Sequence, residues 1–349
     1  MTGTSMGCKD TFFKGNELTK QLGIQLPVIM APMFLVSNEC MLREALLSGI
    51  MGVFPTLNFR DGNRLSQVIT DLHAIKQEKG AKGNFGVNLI VQKTNSYLDN
   101  HLRICVSSKV PFYITSLGSP QKVIEQARSY GAKVYCDVTN LKHAEKCASL
   151  GCDGFVAVGQ GAGGHAGPHP LTVLIPALSR EFPSIPVVAA GGIATGAGII
   201  SSLALGAQGV SIGTLFIASK EAGISDEYKN AVVNAGMDDI VMTERLSGTP
   251  CSIIETPFAR KIGYKQGVLE KYLSRNRFTR KYFKALVHLQ GLKRLEQALK
   301  PGNYNNLWCA GKSSELIDGI RSVSEIVSKL ESEMRLSMQQ LSNMFPDEG

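Results

Sequence analysis

The sequence predicts an α/β chain folded as a (β/α)8 TIM barrel, with a small, basic helical insertion near the C-terminus. Three observations carry this. Eight apolar runs of strand length alternate with longer amphipathic segments and no hairpin interrupts them, which fits a closed barrel better than an open doubly wound sheet. Glycine-rich turns follow the sixth, seventh and eighth runs, at the strand ends where parallel sheets collect their binding loops. The charge is local: of a net +8, more than the whole arises between residues 258 and 300, where twelve Lys and Arg face two acids.

The first strand is residues 27–31, followed by Pro32-Met33 and a helix from about Asn38, an N-cap residue, to Ser48. Residues 52–57 form the second, with a helix near 64–78, and residues 85–90 the third, with a helix near 96–107. Residues 112–117 form the fourth, after which Pro120 opens a helix running to Tyr130. Lys133–Val138 is the fifth and leads to a helix over 140–150, closed by Gly151. Gly154–Val158 is the sixth, with Leu171–Glu181 as its helix. The seventh, 186–190, ends in Gly191-Gly192 and precedes a helix near 196–205; the eighth is 209–214. The basic segment interrupts the eighth unit, and 314–330 reads as the closing helix. The chain thus divides into a barrel over 1–254, a basic helical insertion over 255–301 and a C-terminal helical segment over 302–349 that completes the barrel.

Apolar content of 44% with 19% charged residues excludes disordered and collagen-like classes. No apolar run reaches the roughly 18 residues that a spanning helix needs, and residues 1–20 lack a signal-peptide core, so the expected location is cytoplasmic. Eight scattered cysteines without a Cys-x-x-Cys pair read as small buried hydrophobes in a reducing compartment; no metal site is expected. Cys136, Cys251 and Cys309 lie nearest the segments read as functional. Basicity confined to one segment points to a surface, not to general nucleic-acid binding.

The chemistry concentrates in Gly159-Gln160-Gly161-Ala162-Gly163-Gly164-His165-Ala166-Gly167, directly after the sixth strand. Its glycines let backbone approach a ligand closely, and His165 offers an imidazole that takes or gives a proton near neutral pH. Gly191-Gly192-Ile193 and Gly213-Thr214 follow the seventh and eighth strands. In a barrel these loops commonly converge on a phosphate through backbone N–H groups, although tight βα turns alone would also explain the glycines. A phosphate-bearing cofactor is the expected occupant. No Gly-x-Gly-x-x-Gly opens a helix after the first strand, so no separate nicotinamide domain is indicated.

Taken together, Ala31-Pro32-Met33, Gly86-Val87-Asn88-Leu89, Asp137-Val138-Thr139-Asn140, the Gly161–Gly167 loop, Ala190-Gly191-Gly192-Ile193 and Gly213-Thr214 give a chain that resembles the nitronate monooxygenase family, formerly called 2-nitropropane dioxygenases. The similarity runs from about Pro27 to Pro250 and resumes at Trp308-Cys309-Ala310-Gly311. The resemblance implies an FMN-dependent barrel that oxidises alkyl nitronates with dioxygen to a carbonyl compound and nitrite. It implies the flavin phosphate on Gly191, Gly192, Gly213 and Thr214, and the isoalloxazine beside Pro32, Met33 and Asn88, with Gly163 and Gly164 also counted as cofactor contacts. His165 matches the family's active-site histidine. Two departures bear on the substrate: Lys312-Ser313 stands where members often carry Gln-Gly, and Thr249-Pro250-Cys251-Ser252 lacks an expected Asn or Arg.

Asp137, ending the fifth strand, faces the cofactor or substrate, or else caps the next helical turn; it is counted here with the cofactor contacts. Ser116 and Lys93 are similarly placed without a defined role. His169, next to Pro170, reads as a turn residue, while His73, His101, His143 and His288 fall on helices and are expected at the surface. In the basic insertion, Tyr264, Leu269, Tyr272, Phe278, Phe283, Leu286 and Leu292 form an apolar stripe suited to a lid over the barrel mouth, with the charge solvated. An acidic partner is the other use of that charge, and it opens the competing activity. FMN-dependent NAD(P)H enoyl-acyl-carrier-protein reductases share this barrel and its Gly-Gly-His loop and use acidic carrier proteins, with NAD(P)H:quinone reductases as a further relative.

Overall fold

The computed structural model describes residue 13 and residues 15–244, 250–265 and 307–345. Eight parallel strands close into a barrel: β1 (Val28–Met30), β2 (Met51–Pro55), β3 (Asn84–Ile90), β4 (Phe112–Ser116), β5 (Lys133–Val138), β6 (Gly154–Val158), β8 (Val187–Ala190) and β9 (Gly209–Ile212), with β9 pairing back onto β1 through Val28↔Val210. The helices α2 (Glu39–Leu47), α3 (Gly62–Lys76), α4 (Leu98–Ser107), α5 (Gln121–Arg128), α6 (Leu141–Ser149), α7 (Leu171–Glu181) and α8 (Gly196–Ala204) alternate with them. The strands form where β-branched and aromatic runs are buried on both faces, as in β2, β3 and β8. Polar caps set the helix starts: the side chains of Asn38, Asn140 and Thr195 each accept a backbone N–H of the first turn.

The barrel is packed at its N-terminal end and open at the other. A short helix, α1 (Glu17–Leu22), begins at the N-cap Asn16, ends at left-handed Gly23 and presses Leu18 and Leu22 into the barrel interior. There they join Ile29, Met51, Val53, Phe112, Ile114, Tyr135, Val156 and Val188. This plug leaves the strands' C-terminal ends as the rim available for a site.

After β9 the chain forms α9 (Thr214–Ile217), α10 (Asp226–Asn234), β10 (Ile240–Thr243), β11 (Cys251–Ile254) and α11 (Pro257–Ile262). β10, β11 and a two-residue strand β7 (Gly164–His165) make a separate antiparallel sheet, which the strand-helix rhythm does not foreshadow. The closing helix differs from expectation. Lys312–Leu316 is a short 3₁₀ turn, and the long helix α12 (Val323–Met344) starts only at Ser322, whose hydroxyl accepts the Glu325 N–H while the Glu325 carboxylate accepts the Ser322 N–H. That capping box overrides the weaker apolar periodicity. α12 closes the ring against α8: Glu333 accepts the Gly196 N–H at 2.7 Å, and a Cβ on Gly196 would lie 2.2 Å from the Met334 nitrogen. Of the expected basic insertion, only residues 255–265 are among those described, so the apolar stripe beyond Tyr264, and His288, lie outside the described residues. No helix among the described residues is long and apolar enough to cross a membrane.

Candidate active site

The strands' C-terminal ends open into a cavity of about 1300 Å³. That exceeds the roughly 300–1,000 Å³ of an ordinary small-molecule pocket, so a cofactor and a substrate fit together. Each residue expected as the catalytic group or a cofactor contact lines it: Pro32 and Met33 after β1, Asn88 on β3, Asp137 on β5, Gly163, Gly164 and His165 after β6, Gly191 and Gly192 after β8, and Gly213 and Thr214 after β9.

The glycines have a steric cause different from the expected one. A Cβ on Gly191, whose φ is +118°, would lie 2.7 Å from the Ala162 nitrogen; one on Gly163 would lie 2.8 Å from the Gly311 nitrogen, and one on Gly311 2.5 Å from the Gly161 carbonyl oxygen. These loops therefore pack backbone on backbone against one another before they meet any ligand. Their packing leaves the N–H groups of Gly191, Gly192 and Gly213 without a hydrogen-bond acceptor among the described residues. Beside them, Thr214 Oγ1 accepts the Gly311 N–H at 2.9 Å and keeps its own O–H to donate. Neutral donors converging without a carboxylate suit a phosphate monoester, so the turn fits the phosphate of a flavin nucleotide. Gly213 itself is not forced sterically: its Cβ would make only an ordinary 3.6 Å contact with Ala31.

His165 is held at the rim by backbone pairing. β7 lies antiparallel to β11, with His165 opposite Cys251 and Gly164 opposite Ser252, and β11 pairs in turn with β10. Gly164 takes φ +66°, which turns the loop into that pairing. The imidazole is exposed to the cavity it lines. Behind the sheet, Tyr228 stacks on Trp308 at 5.3 Å and donates to the Cys309 carbonyl at 2.6 Å, fixing the returning chain at the cavity wall.

Three adjacent strands supply a polar relay on the opposite wall. Asn88 Nδ2 donates to Ser116 Oγ at 2.8 Å and to the Ile114 carbonyl at 3.1 Å, and Ser116 Oγ donates to Asp137 Oδ2 at 2.5 Å. Asp137 therefore does not cap the next helix; Asn140 does. Burial pushes the Asp137 carboxyl up to about 6, against the lowering pull of the Ser116 hydrogen bond.

The remaining assignments separate cleanly. His169 is exposed and outside the cavity lining, in keeping with a turn residue, and Lys93 is exposed. His143 is exposed and lines the cavity's outer part, while His73 is half-buried with Nε2 2.8 Å from the Ser108 carbonyl. His101 corrects the surface expectation outright, since it is 0% exposed within α4. Among the described cysteines, Cys105, Cys136, Cys147, Cys152 and Cys251 are buried, Cys309 is partly so and Cys40 is exposed. The sequence gives no expectation for Thr115, Tyr228 and Leu307, which also line the cavity, although Leu307 adjoins the Trp308–Gly311 motif; Ser313, one of the two departures that bear on the substrate, lines it as well.

Comparison with known proteins agrees with this geometry. Residues 73–333 match the family model described as nitronate monooxygenase. The chain is 28% identical over 247 residues to a (3aS,4S,5R,7aS)-5-hydroxy-7a-methyl-1-oxo-octahydro-1H-indene-4-carboxyl-CoA dehydrogenase of Mycobacterium tuberculosis, covering 70% of this chain and 67% of that one. It is 26% identical over 317 residues to a probable nitronate monooxygenase of Staphylococcus aureus, covering 78% and 88%. Among solved structures, FabK from Thermotoga maritima superposes with a TM-score of 0.81 at 28% identity, over 95% of this chain and 99% of that one. The chain belongs to the nitronate monooxygenase family and is a flavin-dependent oxidoreductase built on a (β/α)8 barrel.

Proposed function

We propose that this protein binds FMN and oxidises alkyl nitronates with dioxygen to a carbonyl compound and nitrite. The observation that carries the proposal is the single cavity shared by His165 and the free N–H donors of Gly191, Gly192 and Gly213. The phosphate would rest on those donors and the Thr214 hydroxyl. The ring would lie beside Pro32, Met33, Asn88 and Asp137, with the Gly163-Gly164 backbone along one edge. Bound there, FMN supplies the redox chemistry. The chain's own part is to orient the substrate and handle its proton. Neutral His165 would take the acidic α-proton of a nitroalkane, and its imidazolium would hydrogen-bond the oxygens of an anionic nitronate.

A second function, conversion of an acyl thioester with a nicotinamide donor, is favoured by two observations. The cavity exceeds the size of an ordinary small-molecule pocket and leaves room for a bulky substrate, and a relative covering 70% of the chain is named for a carboxyl-CoA substrate. Anaerobic mixing of the yellow holoprotein with a primary alkyl nitronate or with NAD(P)H, followed by flavin absorbance, separates the two. Bleaching by nitronate alone supports the proposal; bleaching by NAD(P)H without any response to nitronate replaces it with the second function. Protein that is colourless and takes up no added FMN sinks both.

A further inference from the structure

The Asn88–Ser116–Asp137 relay has a polarity that the proposed oxidation does not use. Ser116 Oγ has one proton, given to Asp137 Oδ2, and one of its two lone pairs accepts from Asn88 Nδ2. The hydroxyl is therefore fixed as a donor toward the carboxyl group. Asp137 Oδ1 makes no hydrogen bond among the described residues, no described Lys or Arg forms a salt bridge with Asp137, and the residue lines the cavity. A carboxylate with one donor and no cation, facing the cavity, repels a second anion placed there. The neutral acid instead donates a hydrogen bond to it.

We propose that Asp137 makes the cavity charge-selective: an anionic ligand enters together with a proton on the Asp137 carboxyl, whereas a neutral ligand of the same shape enters without one. This rests on the proposed function for the identity of the natural anion, the nitronate. The proton balance follows directly. Nitronate with protonated Asp137 holds the same number of protons as neutral nitroalkane with ionised Asp137, and the two states differ only in whether the proton sits on the substrate carbon or on the carboxyl oxygen. The position of Asp137's titration, near 6 owing to burial, makes the selection respond to pH in the neutral range.

Other ionisable groups meet the same space. Cys136 neighbours Asp137 on β5; Cys147 of α6 feels its charge, and His143 and Lys146 continue that helix toward the outside. His165 comes from the loop after β6, Cys251 from β11, Cys309 from the returning chain and Tyr228 from α10. Burial pushes the Cys309 thiol up to about 12 and holds Tyr228 well above its ordinary value, so both stay neutral through the range of the test. The two imidazoles require removal by mutation.

The test uses flavin-loaded protein carrying His165→Asn and His143→Asn, with benzoate as the anionic probe and benzamide as its neutral counterpart. Calorimetric titration runs at pH 5.5 and 7.5 in two buffers of different ionisation enthalpy. Benzoate affinity should fall toward the limit of about tenfold per pH unit set by one proton taken up per anion, benzamide affinity should stay constant, and adding Asp137→Asn should abolish both the pH dependence and the proton uptake. A second measurement, the ¹³C titration of the aspartate carboxyls in the otherwise unaltered protein, should show one midpoint well above the ordinary value. Ser116→Ala should move that midpoint higher still by removing the donor that favours the charged form. Benzoate that keeps its pH dependence without the Asp137 carboxyl, benzoate that does not bind at pH 5.5, or an Asp137 midpoint at about 3.9 overturns the proposal. Charge selection in this variant, alongside flavin-loaded protein with both histidines intact that is inert toward nitronates, overturns the functional proposal and leaves this one standing.

Discussion

The parallel barrel and the small antiparallel sheet at its mouth meet at His165, and they are specified in different ways. Barrel strands pair in chain order, each with the next, as Tyr135↔Gly154 and Phe155↔Val187 do. The mouth sheet instead joins Gly164-His165 to Cys251-Ser252, across most of the second half of the barrel. Local order makes the barrel a rigid frame whose rim collects the loops regardless of their sequence. The long-range pairing aims one imidazole across that rim. Stability and chemistry should therefore respond to substitution in different places.

The largest separation is expected from His165→Asn. Losing a positioned proton-transfer group should lower turnover about 10²–10⁴-fold, while an exposed position outside the core should leave stability within about 0.5 kcal/mol. Steady-state oxidation and thermal melts of the same preparation check both halves; unchanged turnover removes His165 from the mechanism. The converse is Phe155→Ala in β6. Phe155 is 0% exposed and meets Phe182 edge-to-face at 5.3 Å, so its loss should cost about 3–5 kcal/mol by denaturant unfolding. Turnover per folded molecule should change far less. Between these lies Gly311→Ala, where the new Cβ meets the Gly161 carbonyl oxygen at 2.5 Å. The strain of about 1–3 kcal/mol should appear as weaker retention of flavin, measured by dialysis, because the loops that would move present the N–H groups proposed to hold the phosphate. Full retention would detach those donors from the Gly161–Gly311 packing.

The same contrast decides what the sequence discloses. Lys133–Val138 and Gly154–Val158 are legible to the residue because short runs of mainly buried apolar residues carry their own signal. Once eight such runs are placed, the barrel itself brings Asn88, Asp137, His165 and the Gly191 and Gly213 turns to one rim, so these cavity-lining residues are recoverable without knowing any distance. The mouth sheet is not legible. Strands of two to four residues have no periodicity to read, and nothing local to Gly164-His165 names Cys251-Ser252 as its partner. The glycines signal close backbone approach, but nothing local to them tells that the first neighbour is another loop. His101 is legible by position and not by polarity: with Leu102 and Cys105 it lies on the buried stripe of α4.

His101 and Asp137 sharpen the comparison through pH, because one lies in the barrel wall and the other in the site, and burial acts on them with opposite sign. Neither ring nitrogen of His101 makes a hydrogen bond of normal geometry, and burial lowers its pKa below the ordinary value, with a smaller opposing effect from the Arg60 backbone. The unfolded chain therefore binds more protons than the folded one as pH falls through about 6.5, and stability is lost in that direction. For Asp137, raised to about 6 by burial, the folded state binds more protons between the ordinary carboxylate value and 6, so apoprotein stability is gained as pH falls through 6. In the native chain the two effects oppose each other. His101→Leu should leave the Asp137 contribution uncovered, so between pH 7 and 5 the unfolding free energy of this variant should rise relative to that of Asp137→Asn, by about 1–2 kcal/mol after allowing for the carboxyl's partial access to the cavity. Denaturant unfolding of the two apoprotein variants at both pH values measures that difference directly, with every other titrating group common to both. Parallel curves would mean that neither group is held in its disfavoured charge state, and the assignment of Asp137 as a proton-holding residue would fall with them.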